Sequence, residues 1–213
     1  MPNSFHNSTT IHGDQETLTR FVEAITLNGD RSTYDLTLPF PIPEELQIIS
    51  MFFRSDADDD PENQELLEKY EANKAKYGHK DWYDWAYHNW GTKWADCDTE
   101  ISEPMAFSDG SWEVQARYMT AWGPADAGFL KVSAMFPTLL FTFDYDEEAG
   151  FFAGTQAMHN GASVFESMYE PCSYEGEVDY DDYESIDKYE AWKEAKSDAI
   201  FAEYAEFRKG LPV

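Results

Sequence analysis

The chain has 213 residues, long for one compact domain and short for two, with 42 acidic against 15 basic side chains and a formal net charge of −27. That balance excludes phosphate-backbone binding as a default, because too few cations are present to displace counterions. It leaves a soluble surface, a basic partner or imitation of a polyanion, and the aromatic content of 16% argues against disorder despite the charge.

Neither Cys97 nor Cys172 lies in a CxxC pair, so a reducing, cytosolic setting is the simpler assumption. The opening Met1–His6 lacks the basic and apolar regions of a signal peptide. No apolar run approaches the roughly 20 residues of a membrane span. A soluble cytoplasmic protein without a membrane partner is therefore expected.

In chain order, Ser8 to His12 is a short strand ended by Gly13. Asp14 then caps a helix over Glu16 to Leu27, with Leu18, Phe21, Val22 and Ile25 at helical spacing. Tyr34 to Leu38 is weakly strand-like, and the prolines of Pro39–Leu46 enforce a rigid extended segment. An acidic block follows, with Asp56, Asp58, Asp59, Asp60 and Glu62, and Pro61 opens a helix running to about Tyr77. A calcium loop at residues 56–67 lacks the mid-loop glycine that an EF-hand needs.

Residues 80–95 hold Trp82, Trp85, Trp90 and Trp94 with Tyr83 and Tyr87, too many rings for one helical face. Gly91 stops this helix and Thr92 starts the next strand. Thr92 to Ile101 and Ser111 to Trp122 alternate as a hairpin turned near Asp109–Gly110. Pro124 opens a helix ending before Pro137, and Leu139–Tyr145 with Phe151–His159 makes a second hairpin. The fold class is α+β: a ferredoxin-like antiparallel βαββαβ sheet with two packed helices, an acidic helical insertion and a C-terminal acidic helical extension. The expected division is 1–160 for the ferredoxin-like domain, with the insertion at 47–79, and 161–213 for the acidic–aromatic extension. That extension ends in an amphipathic helix whose stripe is Ile186, Tyr189, Trp192, Ile200, Tyr204 and Phe207.

Several stretches in series are similar to one family: Met1-Pro2-Asn3…Asn7 with Thr10–Gly13, Pro41–Leu46, Trp82-Tyr83…Asn89–Trp94, Thr120–Pro124, Phe136-Pro137 and Tyr145…Glu148–Gly150. Over residues 1 to 160 the chain resembles the YubB-like ferredoxin-fold family of phage and plasmid proteins, the phage Api-type proteins. Ser4 and Phe5 stand where that family has Trp-Cys. The resemblance implies a ferredoxin-like domain and a mobile-element origin, and implies no reaction.

Among the histidines, His6 and His12 flank the first strand, and His159 on a neighbouring edge strand could join them; scattered polar histidines are the plainer reading. No His-x-Thr/Ser pair recurs, no Cys lies near the histidines, and Gly-x-Ser-x-Gly and phosphate-cradling glycine loops are absent, so no enzyme, metal or cofactor is expected. Lys93 among indoles reads as a cation–π stack, or as one wall of a ligand pocket with Trp82, Trp90 and Trp94. The acidic tail, with Glu175, Glu177, Asp179, Tyr180, Asp181, Asp182, Tyr183, Glu184 and Asp187, interleaves carboxylates with tyrosines, a pattern suited to a basic protein surface. The function expected is non-enzymatic: binding and inhibition of a basic, nucleic-acid-binding host or defence protein through DNA-mimic-like surfaces, without direct nucleic-acid contact. The alternatives are a nucleotide or small-molecule pocket at the tryptophans, and an assembly component that self-associates through the C-terminal helix.

Overall fold

The computed structural model describes residues 3–29, 34–51, 61–108, 110–176 and 178–211, with the side chains of Gly29, Pro61 and Glu62 outside that description. Strand β1 (Ser4–Gly13) leads to α1 (Gln15–Ala24), and α2 (Pro61–Tyr77) and α3 (Trp82–Trp90) precede β2 (Cys97–Ile101), β3 (Met105–Ala106) and β4 (Trp112–Ala121). Helix α4 (Asp126–Met135) follows, then β5 (Leu140–Glu147), β6 (Ala153–His159), β7 (Ala162–Tyr169) and α5 (Tyr183–Arg208).

The sheet is ordered β2-β4-β1-β5-β6-β7, with β3 pairing the end of β4, and every ladder is antiparallel. Its first four strands are the two interleaved βαβ units of a ferredoxin-like domain, and β6 and β7 extend that sheet. The alternation of β1 decides the faces: Phe5, Asn7, Thr9 and Ile11 are buried on one side, while His6 and Ser8 stay exposed on the other.

Helices α1 and α4 cover the first face. Asp14 accepts the Thr17 N–H at 2.9 Å to open α1, which buries Leu18, Phe21 and Val22. Phe21 meets Phe136 and Phe141 edge-on, each with centroids 5.4 Å apart, and Phe129 of α4 lies 4.8 Å from Phe143. Trp90 is 1% exposed and lies directly on α4, where a Cβ at Gly128 would fall 1.9 Å from its ring. Its indole N–H donates to the Phe40 carbonyl at 3.1 Å, and Phe40 packs 5.0 Å from Trp85, so α3 clasps the proline-rich segment. Gly91 ends α3 at φ 86, as its place in the sequence suggests.

Helix α5 covers half of the second face. Leu140, Ala157 and Tyr204 form a separate buried cluster with Phe165 and Phe207. Tyr204 Oη and Thr142 Oγ1 are 2.5 Å apart, and Arg208 Nη2 reaches His12 Nδ1 at 3.0 Å. The apolar stripe of α5 therefore docks on the chain's own sheet. Among the described residues no helix lies over the half formed by β1, β4 and β2, and His6, Ser8, Gln115 and Arg117 are exposed there.

Four expectations need correction. Thr92–Asp96 is not part of the strand, which begins at Cys97: the Thr92 hydroxyl bonds the Ala121 carbonyl and the chain leaves the ladder. Tyr34 makes only an isolated bridge to Thr26, and Asp35 then accepts from the Thr37 N–H and hydroxyl to turn the chain. Helix α1 stops at Ala24, three residues early. The boundary drawn at residue 160 falls in the tight turn between β6 and β7, with Asn160 and Gly161 both at positive φ. Residues 162–169, expected in the extension, are a strand of the same sheet.

The acidic insertion is pinned at its base. Tyr70 donates to the Ile49 carbonyl at 2.6 Å, and Asn73 Nδ2 donates to the Glu45 and Lys80 carbonyls, each at 3.1 Å. Asp56, Asp58, Asp59 and Asp60 lie outside the described residues, and Glu62 is described only as part of the α2 backbone.

Candidate functional site

A cleft of about 1220 Å³ runs between α5 and the uncovered half of the sheet. Strand register builds its floor. Ser8 is paired with Arg117 and Asp144, Arg117 with Glu100, and Asp144 with Thr155, giving one row across five strands. The next row is Met119, His6, Asp146 and Ala153. Tyr189, Lys193, Ser197 and Phe201 of α5 form the wall, with Tyr180 from the preceding loop. Asp98, Glu148 and Asp198 add carboxylates, so acids outnumber Arg117 and Lys193. Asp144 accepts from the Thr155 hydroxyl at 2.5 Å, and burial pushes its carboxyl above the usual range.

The expected acidic–aromatic site is only partly brought to this cleft. Tyr180 lines it, while Asp182 caps α5 through the Glu184 N–H at 3.1 Å and Asp179 accepts from the Asp181 N–H at 2.9 Å. Glu184 is paired with Lys188 at 2.8 Å, Glu175 and Asp187 are exposed, and Glu177 lies outside the described residues. Tyr180 and Tyr183 are 78% and 84% exposed. The other tail aromatics serve the fold. Tyr169, Tyr174, Tyr189 and Trp192 pack against one another with centroids 5.3–6.3 Å apart and hold the first half of α5 against the edge of β7. Sequence reasoning missed the cleft carboxylates Glu100, Asp144 and Asp146. The available signal was the polar side of each alternating strand, which reads the same whether it meets solvent or a helix.

The residues of the expected tryptophan pocket sit in different surroundings. Trp90 is in the core, Trp82 borders a shallow hollow with Ile42, Gln47, Ile48 and Ile49, and Lys93 stacks between Trp94 and Trp122 at 3.9 and 4.3 Å.

Nor do the expected histidines meet. His159 pairs with Leu140, leaving β5 between it and His12. His12 is held neutral with its pKa lowered to about 4, first by burial and then by the Arg208 charge. Beside β2, burial and the Asp35 charge raise the Asp96 carboxyl to about 7. Burial and the neighbouring Asp96 and Asp98 charges push the Cys97 thiol up, the opposite of what a nucleophile needs.

Comparison with known proteins matches the second half of this architecture. The ferredoxin-like domain in Api92-like protein matches residues 89–197. The chain belongs to the Api92-like family. The Api92-like domain so delimited begins at the end of α3 and includes β7 and more than half of α5. A crystal structure of a protein api92 from Yersinia pseudotuberculosis is similar at 12% identity and a TM-score of 0.42, covering 79% of this chain and 98% of that one. No curated protein gives a significant match. Among the described residues no helix is long and apolar enough to cross a membrane.

Proposed function

We propose that the protein is a non-enzymatic interaction module that takes a basic segment of a protein partner into the cleft between α5 and the free half of the sheet. The observation that carries this reading is the cleft floor, where Glu100, Asp144 and Asp146 stand in register beside Asp98 and Glu148. A lysine- or arginine-rich segment would satisfy those carboxylates while its aliphatic stems lie on Tyr180, Tyr189 and Phe201.

Magnitude argues for a cleft rather than a duplex imitation. Between Tyr183 and Arg208 seven carboxylates are offset by four Lys and Arg. Over a helix about 39 Å long that leaves roughly one net charge every 13 Å. Duplex DNA carries one every ~1.7 Å. Lys209, one residue past the helix and paired with Glu206, lowers that density further. We extend the proposal to a partner that binds nucleic acid in the cytosol of a host carrying a phage or plasmid, and to its inhibition by capture. The family resemblance and the basic surfaces of such proteins support that step.

The test is the binding of a fluorescent oligolysine peptide. Asp144→Asn with Asp146→Asn should weaken binding several-fold, and rising salt should abolish it. Glu16→Gln with Glu23→Gln removes the same charge from exposed positions on α1, on the other face, and should leave binding nearly unchanged. Equal loss from both pairs would mean attraction to net charge alone.

A further inference from the structure

We propose that His79, Asp84 and His88 form a surface site for a divalent transition metal ion of the zinc, nickel or cobalt type. The inference is independent of the cleft. Among the described residues these three side chains bring their ligand atoms within 4.8 Å of one another.

The local fold explains the convergence. Gly78 ends α2 at φ 78, with its N–H on the Lys74 carbonyl, and turns the chain so that His79 lies over the first turn of α3. Asp81 caps α3 by accepting the Asp84 N–H at 2.9 Å. Asp84 and His88 are four residues apart on the same helical face. The His79 and His88 rings lie beside one another, tilted by 41° with centroids 5.1 Å apart.

Each ring faces a different oxygen of the same carboxylate, at a separation close to the ligand spacing around a small ion. His79 Nδ1 lies 3.4 Å from Asp84 Oδ2, and His88 Nδ1 lies 3.2 Å from Asp84 Oδ1. Ligands at 2.0–2.1 Å around tetrahedral zinc are separated by about 3.3 Å. Two imidazoles with one carboxylate favour zinc, nickel or cobalt over calcium or magnesium, which prefer all-oxygen sets. The His88 side chain is 58% exposed, so the remaining positions open to water.

The ion must displace protons. The Asn89 amide is oriented by Lys131, which donates to its Oδ1 at 2.6 Å, and by its own donation to the Trp85 carbonyl at 3.0 Å. It therefore donates to His79 Nε2, at 3.3 Å, and leaves the ring proton on Nδ1, facing Asp84. His88 Nδ1 likewise faces the Asp84 main-chain carbonyl at 2.7 Å. Metal takes both Nδ1 lone pairs, each neutral ring then carries its proton on Nε2, and the hydrogen bond from the Asn89 amide to His79 is given up.

Cobalt titration of the full chain, followed by visible absorption with excess magnesium to occupy surface carboxylates, tests the site. One saturable equivalent with ligand-field bands is expected, displaced by zinc. His88→Ala and His79→Ala should each weaken it at least about tenfold, with circular dichroism unchanged. NMR of the imidazole nitrogens should show both rings passing to the Nε2–H tautomer on zinc addition. Absence of the bands, retention of the Nδ1–H tautomers, or equal affinity in the variants, which would mean an adventitious ion only, overturns the proposal.

Discussion

The two faces of the sheet are built from the same strands and handle water in opposite ways. On the face under α1 and α4, side chains alternate inward as Ile11, Val114, Phe141 and Phe143, and two helices with α3 beside them exclude solvent. On the other face one long helix covers β5 to β7, while the rows through His6 and Ser8 remain open and acidic. One helix is about 10 Å wide and strands lie about 4.8 Å apart, so a single α5 spans only part of a six-strand width. A shortage of covering helix, rather than any special sequence, creates the cleft.

Substitutions at positions that differ only in which face they serve put this contrast at risk. The largest effect should come from Trp90→Ala, which empties the closed face beside Gly128 and should cost about 3–5 kcal/mol in urea unfolding. Gly128→Ala, which forces a methyl into the Trp90 ring, should cost roughly 1–3 kcal/mol by overpacking. Neither should alter peptide affinity in the molecules that stay folded.

Titration separates the faces next. His12, beneath the end of α5, has a folded pKa of about 4 against 6.5 for a free histidine. Between those values the unfolded chain binds the extra proton, so stability should fall as pH drops through that window. Asp96, outside the α5 contact, has the opposite sign: its pKa of about 7 against 3.8 means that stability should fall as pH rises from about 4 to 7. His12→Gln should flatten the first slope. Asp96→Asn should flatten the second and raise the melting temperature above about pH 7, because its side-chain oxygen can still accept the Leu36 N–H that Asp96 now holds at 2.8 Å.

Smaller effects belong to the half-covered face. Tyr204→Phe removes the bond to Thr142 and should cost about 1 kcal/mol. Lys188→Ala breaks an exposed pair with Glu184 and should leave the melting temperature unchanged within error, since such pairs are screened by solvent.

Much of the fold is legible in the residues. The alternation of Val114, Ala116, Tyr118 and Thr120 marks β4 and its buried side, and Asp14, Gly91 and the Pro61 start mark helix ends. Strand β7 is hidden because it is an edge strand of half-exposed residues, Ala162 to Tyr169, set among acids that suggest a tail. The tail tyrosines resemble contact residues because nothing in their spacing says that Tyr174 and Tyr189 will meet Trp192. The site is less legible than the fold, since Glu100, Asp144 and Asp146 come from two separate strands and become one surface only through register.

Residue order alone dictates a ferredoxin-like antiparallel sheet with an acidic balance and a dense aromatic helix. Those follow from periodicity, capping and composition, which act over a few residues. Packing in three dimensions is what makes Trp90 core, folds α5 back onto its own sheet, and brings His79, Asp84 and His88 together. Each of these depends on where distant segments stop and turn, and a few degrees at Gly78 or Gly91 move a side chain by ångströms that local preferences do not encode.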